Sequence, residues 1–199
     1  MIGIIDYGLG NINAFYNIYN ENGIKLEVIK SYKDFNKNIN KIILPGIGSF
    51  DKAVQLIKKN SLFDEITNFV ANNNNKIIGI CVGMQIFATS SAEGELTGFS
   101  FIKDNFIKFE TKICPHIGWN NVELLNNNEL FLGIKNNSYF YFLHSYYLKH
   151  KNQNYTVSNT NYGENFISSF KNKNVYGIQF HPEKSHVNGE KLLINFYKL

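Results

Sequence analysis

The sequence predicts an α/β fold: a central, mostly parallel sheet with helices on both faces and antiparallel strands in the C-terminal half. Three observations predict it. Short apolar, β-branched runs such as IGIID (2–6), KIILP (41–45) and KIIGI (76–80) read as strands buried on both faces. Stretches with helical apolar spacing alternate with these runs through the first part of the chain. From about residue 98 the texture changes to closely spaced strand and turn patterns.

Taken in order, IGIID ends in the turn-like YGLGN, and Ile12, Phe15, Tyr16 and Tyr19 then fall at helical spacing. KLEVIK (25–30) and KIILP are short strands. Between Asp51 and Ala71, apolar positions including Val54, Ile57, Leu62, Ile66 and Phe69 suit one or two amphipathic helices. KIIGI is a buried strand, and MQIFATS reads as the helix after it. FSFI, NFIKF, IGWNNVEL, SYFYFLHSYYL, NYTVSNT, ENFISSF and VYGIQF read as further strands, before a last helix at about 186–198. No Pro/Ser/Gly-rich linker divides the chain, so residues 1–199 are expected to form one domain.

Composition narrows the function classes. The net charge is +4, yet all 20 basic residues are Lys, scattered rather than blocked. Without Arg forks or a dense basic patch, nucleic-acid binding is not expected. No apolar run reaches the about 20 residues of a membrane span. The start, MIGIIDYGLG, lacks the basic head and long apolar stretch of a secretory signal. Two cysteines, Cys81 and Cys114, are too few for a disulfide framework, so a reducing cytoplasmic location is expected.

Cys81 stands in GICVGMQ (79–85), directly after the KIIGI strand. A cysteine is usually a small buried hydrophobe. Here Gly79 and Gly83 flank it in the G-x-nucleophile-x-G form of a nucleophile elbow, a sharp strand-to-helix turn that exposes the central side chain. A helix N-terminus behind it favours the thiolate.

A nucleophilic cysteine needs a base, and the base needs an orienting group. The histidines are His116, His144, His150, His181 and His186. His181 stands out in GIQFHPEKS (177–185), at the end of a strand. Pro182 biases it towards an extended backbone, and residues two apart on an extended chain share a side, so Glu183 can hold the imidazole. LPGIGSF (44–50) follows another strand, and its glycines leave backbone N–H groups open to an oxyanion. The amide of Val82 is a second candidate donor. Alone, PGIG would read as a plain turn; together with Cys81, His181 and Glu183 it describes acyl transfer through a thioester.

These residues resemble the class I (triad) glutamine amidotransferases, with their G-x-C-x-G-x-Q elbow, P-G-x-G oxyanion strand and C-terminal H-P-E. Within that family, IDYGLGN (5–11), PHIGWN (115–120), YFLHSYY (141–147) and QFHPEKS (179–185) are similar to the glutaminase subunits of imidazole glycerol phosphate synthases, essentially end to end.

The resemblance implies a flavodoxin-like sheet and no cofactor or metal. It implies that Cys81 attacks the side-chain amide of L-glutamine, that His181 protonates the departing ammonia, and that Glu183 orients His181. It carries over Gln85, His144, Ser145 and Tyr146 as the glutamine cradle. Gly46, Ile47 and Gly48 match the oxyanion strand. Asn11, Trp119, Tyr146 and Lys184 match positions that face a partner. That partner is a (β/α)8 synthase subunit, forming a heterodimer. It uses the ammonia to form imidazole glycerol phosphate and AICAR in histidine biosynthesis, and it would hold the phosphate substrate that this Arg-free chain does not.

The sequence departs from the family at Cys114, where an aliphatic residue is usual and a buried, inert thiol is expected. It departs again at EGELTGFSFI (93–102) and at SHVNGEKLL (185–193). Those departures bear on the partner, and leave open a paralogue that feeds ammonia to a sugar-modifying amidotransferase in surface-polysaccharide or flagellin-glycan synthesis. A cysteine peptidase or γ-glutamyl hydrolase would share the elbow and histidine, but has little need of PHIGWN or an exposed YGLGN loop.

Overall fold

The computed structural model describes residues 1–110, 114–149 and 154–199; His150 lies outside them. Among the described residues, twelve strands follow in chain order: β1 (Ile2–Ile5), β2 (Leu26–Ile29), β3 (Lys41–Leu44), β4 (Lys76–Ile80), β5 (Ser90–Ser91), β6 (Asn105–Lys108), β7 (His116–Leu124), β8 (Ser138–His144), β9 (Tyr146–Lys149), β10 (Thr156–Asn161), β11 (Asn165–Asn172) and β12 (Val175–Ile178). The helices are α1 (Ile12–Glu21), α2 (Phe50–Lys59), α3 (Phe63–Ala71), α4 (Val82–Gln85) and α5 (His186–Lys198).

The strand order is β2-β1-β3-β4-β12-β11-β10-β7-β8. The pairs from β2 to β12 are parallel, and those from β12 to β8 are antiparallel. This is the mixed α/β sheet that the sequence predicts. Right-handed crossovers fix the faces. The chain moves one way from β1 to β2 through α1, and the other way from β3 to β4 through α2 and α3, so these helices cover opposite faces. α5 docks beside α1, where the Tyr19 hydroxyl donates to the Leu193 carbonyl at 2.9 Å. β1 and β12 are buried along their whole length, and the buried apolar residues form one cluster from Ile2 to Phe196. No helix among the described residues is long and apolar enough to cross a membrane.

Three expected elements differ. FSFI (99–102) is a loop, not a strand: Ser100 turns the chain with φ of 57°, so Phe99 and Phe101 stack on each other at 5.0 Å. MQIFATS is helical only as far as Gln85. The carbonyls of Ile86 and Phe87, which a longer helix would need, accept instead from Phe99 and Ile102 of that loop. SYFYFLHSYYL is two strands, because the chain changes partner at Ser145: β8 pairs with β7, whereas β9 pairs with β6 and β11. Cys114, expected to be buried, is half-buried against the edge of the core.

Candidate active site

Three neighbouring parallel strands, β3, β4 and β12, end together, and each delivers one part of the site. This is the edge of an open α/β sheet where ligands bind. Cys81 follows β4 directly and has φ of 54°, a region that costs a non-glycine residue strain. Its backbone N–H donates to the Ile178 carbonyl of β12 at 2.9 Å, and its own carbonyl accepts from Gln85 at 3.0 Å. The flanking glycines are steric necessities. A Cβ on Gly83 would lie 1.9 Å from the Leu44 oxygen, and one on Gly79 would lie 2.5 Å from the Gly83 oxygen.

His181, three residues past β12, is tied by its backbone N–H to the Tyr141 carbonyl at 2.8 Å. Its Nδ1 donates to Glu183 Oε1 at 2.8 Å, and the two side chains are 1% and 2% exposed. Nε2 is buried without a hydrogen-bond partner among the described residues. Burial works against a charge on this imidazole. The Cys81 sulfur and the Glu183 carboxylate outweigh it and raise the pKa to about 10. Cys81 itself is 4% exposed, and its sulfur lies 3.6 Å from the Leu143 carbonyl oxygen.

The expected oxyanion segment lies against the elbow. A Cβ on Gly46 would meet Gly83 N at 2.8 Å, the Tyr7 hydroxyl at 2.9 Å and Val82 Cβ at 3.0 Å. Tyr7, buried, donates to the Pro45 carbonyl at 2.8 Å, which fixes the start of the segment. Val82 begins α4, where first-turn N–H groups have no helical acceptor.

Ile47, Gly48, Cys81, Val82, Gln85, His144, Ser145 and Tyr146 line a cavity of about 300 Å³, together with Glu93, Pro115 and Leu143. Eight of the residues singled out from the sequence thus meet around one space. A larger cleft bordered by Leu125, Asn127, Phe131 and Leu132 holds neither cysteine nor histidine.

Glu93 was not singled out from the sequence. It supplies the cavity with a carboxylate, held by the Phe50 N–H at 2.8 Å. Burial pushes its pKa up, and the Asp51 charge adds to that. The signal was in EGELTG: an amino-acid ligand needs a counter-charge for its ammonium, and none of the other expected cradle residues carries one.

Asn11, Trp119 and Lys184 stand outside the cavity. Asn11 caps α1, accepting from Ala14 N–H at 3.3 Å. Trp119 is 46% exposed and stacks on His186 with ring centres 5.1 Å apart. The Lys184 ammonium sits 5.6 Å over the Tyr141 ring. Tyr146, expected both in the cradle and at a partner surface, lines the cavity.

Residues 3–199 match the family described as glutamine amidotransferase class-I. The chain belongs to this family. The amidotransferase is 40% identical over 205 residues to the imidazole glycerol phosphate synthase subunit HisH of Leptospira interrogans, with 100% of both chains covered. It is likewise 40% identical over 205 residues to the subunit of the same name from Bdellovibrio bacteriovorus, again over 100% of both. Its fold is similar to a crystal structure of a glutamine amidotransferase, with a TM-score of 0.78 at 14% identity, over 99% of this chain and 97% of that one. PurLQS from Thermotoga maritima aligns with a TM-score of 0.75 at 18% identity, over 99% and 97% of the two chains.

Proposed function

We propose that the chain is the glutaminase subunit of an imidazole glycerol phosphate synthase, acting as one domain over 1–199. The observation that carries this reading is the juxtaposition of Cys81 and a buried His181–Glu183 pair beside a cavity that also holds Glu93 and Gln85. The full-length likeness to synthase subunits named HisH supports the pathway and does not favour a sugar-modifying partner or a peptidase.

In this reading, the Glu93 carboxylate receives the α-ammonium of glutamine and Gln85 orients the substrate. The Cys81 sulfur attacks the side-chain carbonyl carbon. The oxygen takes up charge against the amides of Val82 and of the Gly46–Gly48 segment. The imidazolium of His181 gives its proton to the departing nitrogen, and ammonia leaves. A water then attacks the γ-glutamyl thioester and passes a proton to neutral His181, so that glutamate is released, the sulfur is freed and the imidazolium is restored. Glu183 holds Nδ1 throughout.

The ammonia passes to the synthase subunit, a (β/α)8 barrel. Asn11, Trp119, Lys184 and the cavity residue Tyr146 face it. Ile117, Trp119, Tyr139 and Val187 are all exposed, an apolar grouping that suits a docking face. A cytoplasmic setting fits this biosynthetic role.

The test is a glutaminase assay on the chain alone and with its synthase partner. Slow hydrolysis alone, accelerated by the partner, is expected, because unpartnered hydrolysis wastes glutamine. Cleavage of peptides without cleavage of glutamine would sink the reading.

A further inference from the structure

Beside the cavity lies a polar chain that the reaction above does not use. His116 and His144 are cross-strand partners in β7 and β8, both buried. The proton positions follow from one end of the chain. His144 Nδ1 lies 2.8 Å from the Tyr146 carbonyl, which can only accept, so Nδ1 carries the hydrogen. In a neutral ring, Nε2 is then an acceptor. His116 Nδ1 stands 3.0 Å from it and must donate. That leaves His116 Nε2 to accept from Asn120 Nδ2 at 3.2 Å, while Asn120 also donates to the Asn161 carbonyl at 2.9 Å.

The chain continues into the cavity. The Tyr146 carbonyl also accepts from Gln85 Nε2 at 3.3 Å, and the same nitrogen donates to Gln179 Oε1 at 3.3 Å. Both amide hydrogens of Gln85 are thereby committed, so its amide presents only oxygen to a ligand. The His116 ring cannot turn freely, because it is stacked between Phe142 at 4.7 Å and Tyr162 at 3.9 Å. Burial depresses both imidazoles, His116 to about 4 and His144 to about 3. A proton on either would set two donors face to face.

We propose that His116 is a positioning residue for the glutamine cavity: by donating to Nε2 of His144 it holds, together with the Tyr146 carbonyl, the Nδ1–H tautomer that anchors that carbonyl and through it Gln85. The proposal rests on reading that cavity as the glutamine site. It also changes the part expected of His144. With both ring nitrogens engaged, His144 supports the cradle wall rather than bonding substrate. Asn120, next to the exposed Trp119, is the outer end of the chain, so the docking face and the cradle share one hydrogen-bonded path.

The test uses the full chain carrying Cys81→Ala, which binds glutamine without turnover, and reads glutamine affinity by calorimetry and the His144 ring nitrogens by 15N NMR. His116→Phe keeps the stacked shape and removes the donor. It should weaken glutamine about tenfold and leave His144 without a single tautomer. His116→Asn places an amide nitrogen where Nδ1 stands and should restore both readouts to within about threefold of the parent. Asn120→Leu, which removes the outer donor and leaves both histidines in the sequence, should weaken binding about threefold and keeps the test open should His116→Phe fail to fold. Unchanged affinity and an intact Nδ1–H tautomer in His116→Phe would overturn the proposal, as would an Asn variant as impaired as the Phe one. If the parent binds no glutamine, the cavity reading falls instead, and the nitrogen spectra still decide whether His116 sets the tautomer of His144.

Discussion

Glu183 accepts from Nδ1 of His181 at 2.8 Å inside the protein, leaving the buried Nε2 beside Cys81. The pair is built from two residues of one turn, with Pro182 between them. The Cys81 sulfur and the Glu183 carboxylate together hold a proton on a ring that burial would otherwise strip.

Glu183→Gln keeps the shape and removes that charge. Loss of the oriented acid–base group should lower kcat for glutamine hydrolysis about 10²-fold or more. The histidine pKa in the fold is raised from 6.5 to about 10. Its stabilising contribution is therefore complete below about 6.5 and is lost as pH rises through about 10. An NMR titration should find the wild-type imidazole protonated well above neutrality, and a downward shift in Glu183→Gln.

Glu93 is the cavity's carboxylate, so Glu93→Gln should act on binding. A lost charge-assisted contact to an ammonium predicts a KM about ten- to hundredfold higher, with kcat affected less. Steady-state kinetics with glutamine separates the two.

Gly83→Ala should be tolerated poorly, since the added Cβ falls 1.9 Å from the Leu44 oxygen and the backbone must move. Overpacking of about 1–3 kcal/mol corresponds to a Tm lowered by roughly 2–10 °C. The displaced segment is the one leading to Gly46–Gly48, so glutaminase activity should fall with it. Calorimetry and an activity assay check both.

His116 and His144 also set an acid limit. Both rings are neutral in the fold, with pKa values lowered from 6.5 to about 4 and about 3. The unfolded chain binds their protons first, so stability is intact above about 6.5 and falls as pH drops towards those values. Each such proton contributes a slope of about 1.4 kcal/mol per pH unit. His116→Phe should flatten the dependence of Tm on pH between 6.5 and 4.

Much of this was legible in the sequence because glycine, proline and β-branched runs act locally. The strands before Cys81 and His181, the close approach of Gly79 to Gly83 and the His-Pro-Glu turn all follow from neighbours in the chain. What was not legible depends on distant partners. Period-2 alternation cannot reveal that Ser145 ends pairing with one strand and starts it with others. Aromatic density in FSFI reads as strand, yet Phe99 and Phe101, partly buried, pack against the core from a loop. Glu93 reaches the cavity only because the Phe50 N–H, 43 residues away, holds its carboxylate. The His116–His144 pair needs the β7–β8 register, which no local pattern prints.

The measurement that bears most directly on the central claim compares nitrogen sources in the complex of this chain with its synthase subunit. With Cys81→Ala, glutamine-dependent formation of imidazole glycerol phosphate should vanish while synthesis from added ammonia continues at the wild-type rate. Equal loss of both, or glutamine-dependent synthesis that survives without the thiol, would contradict the account.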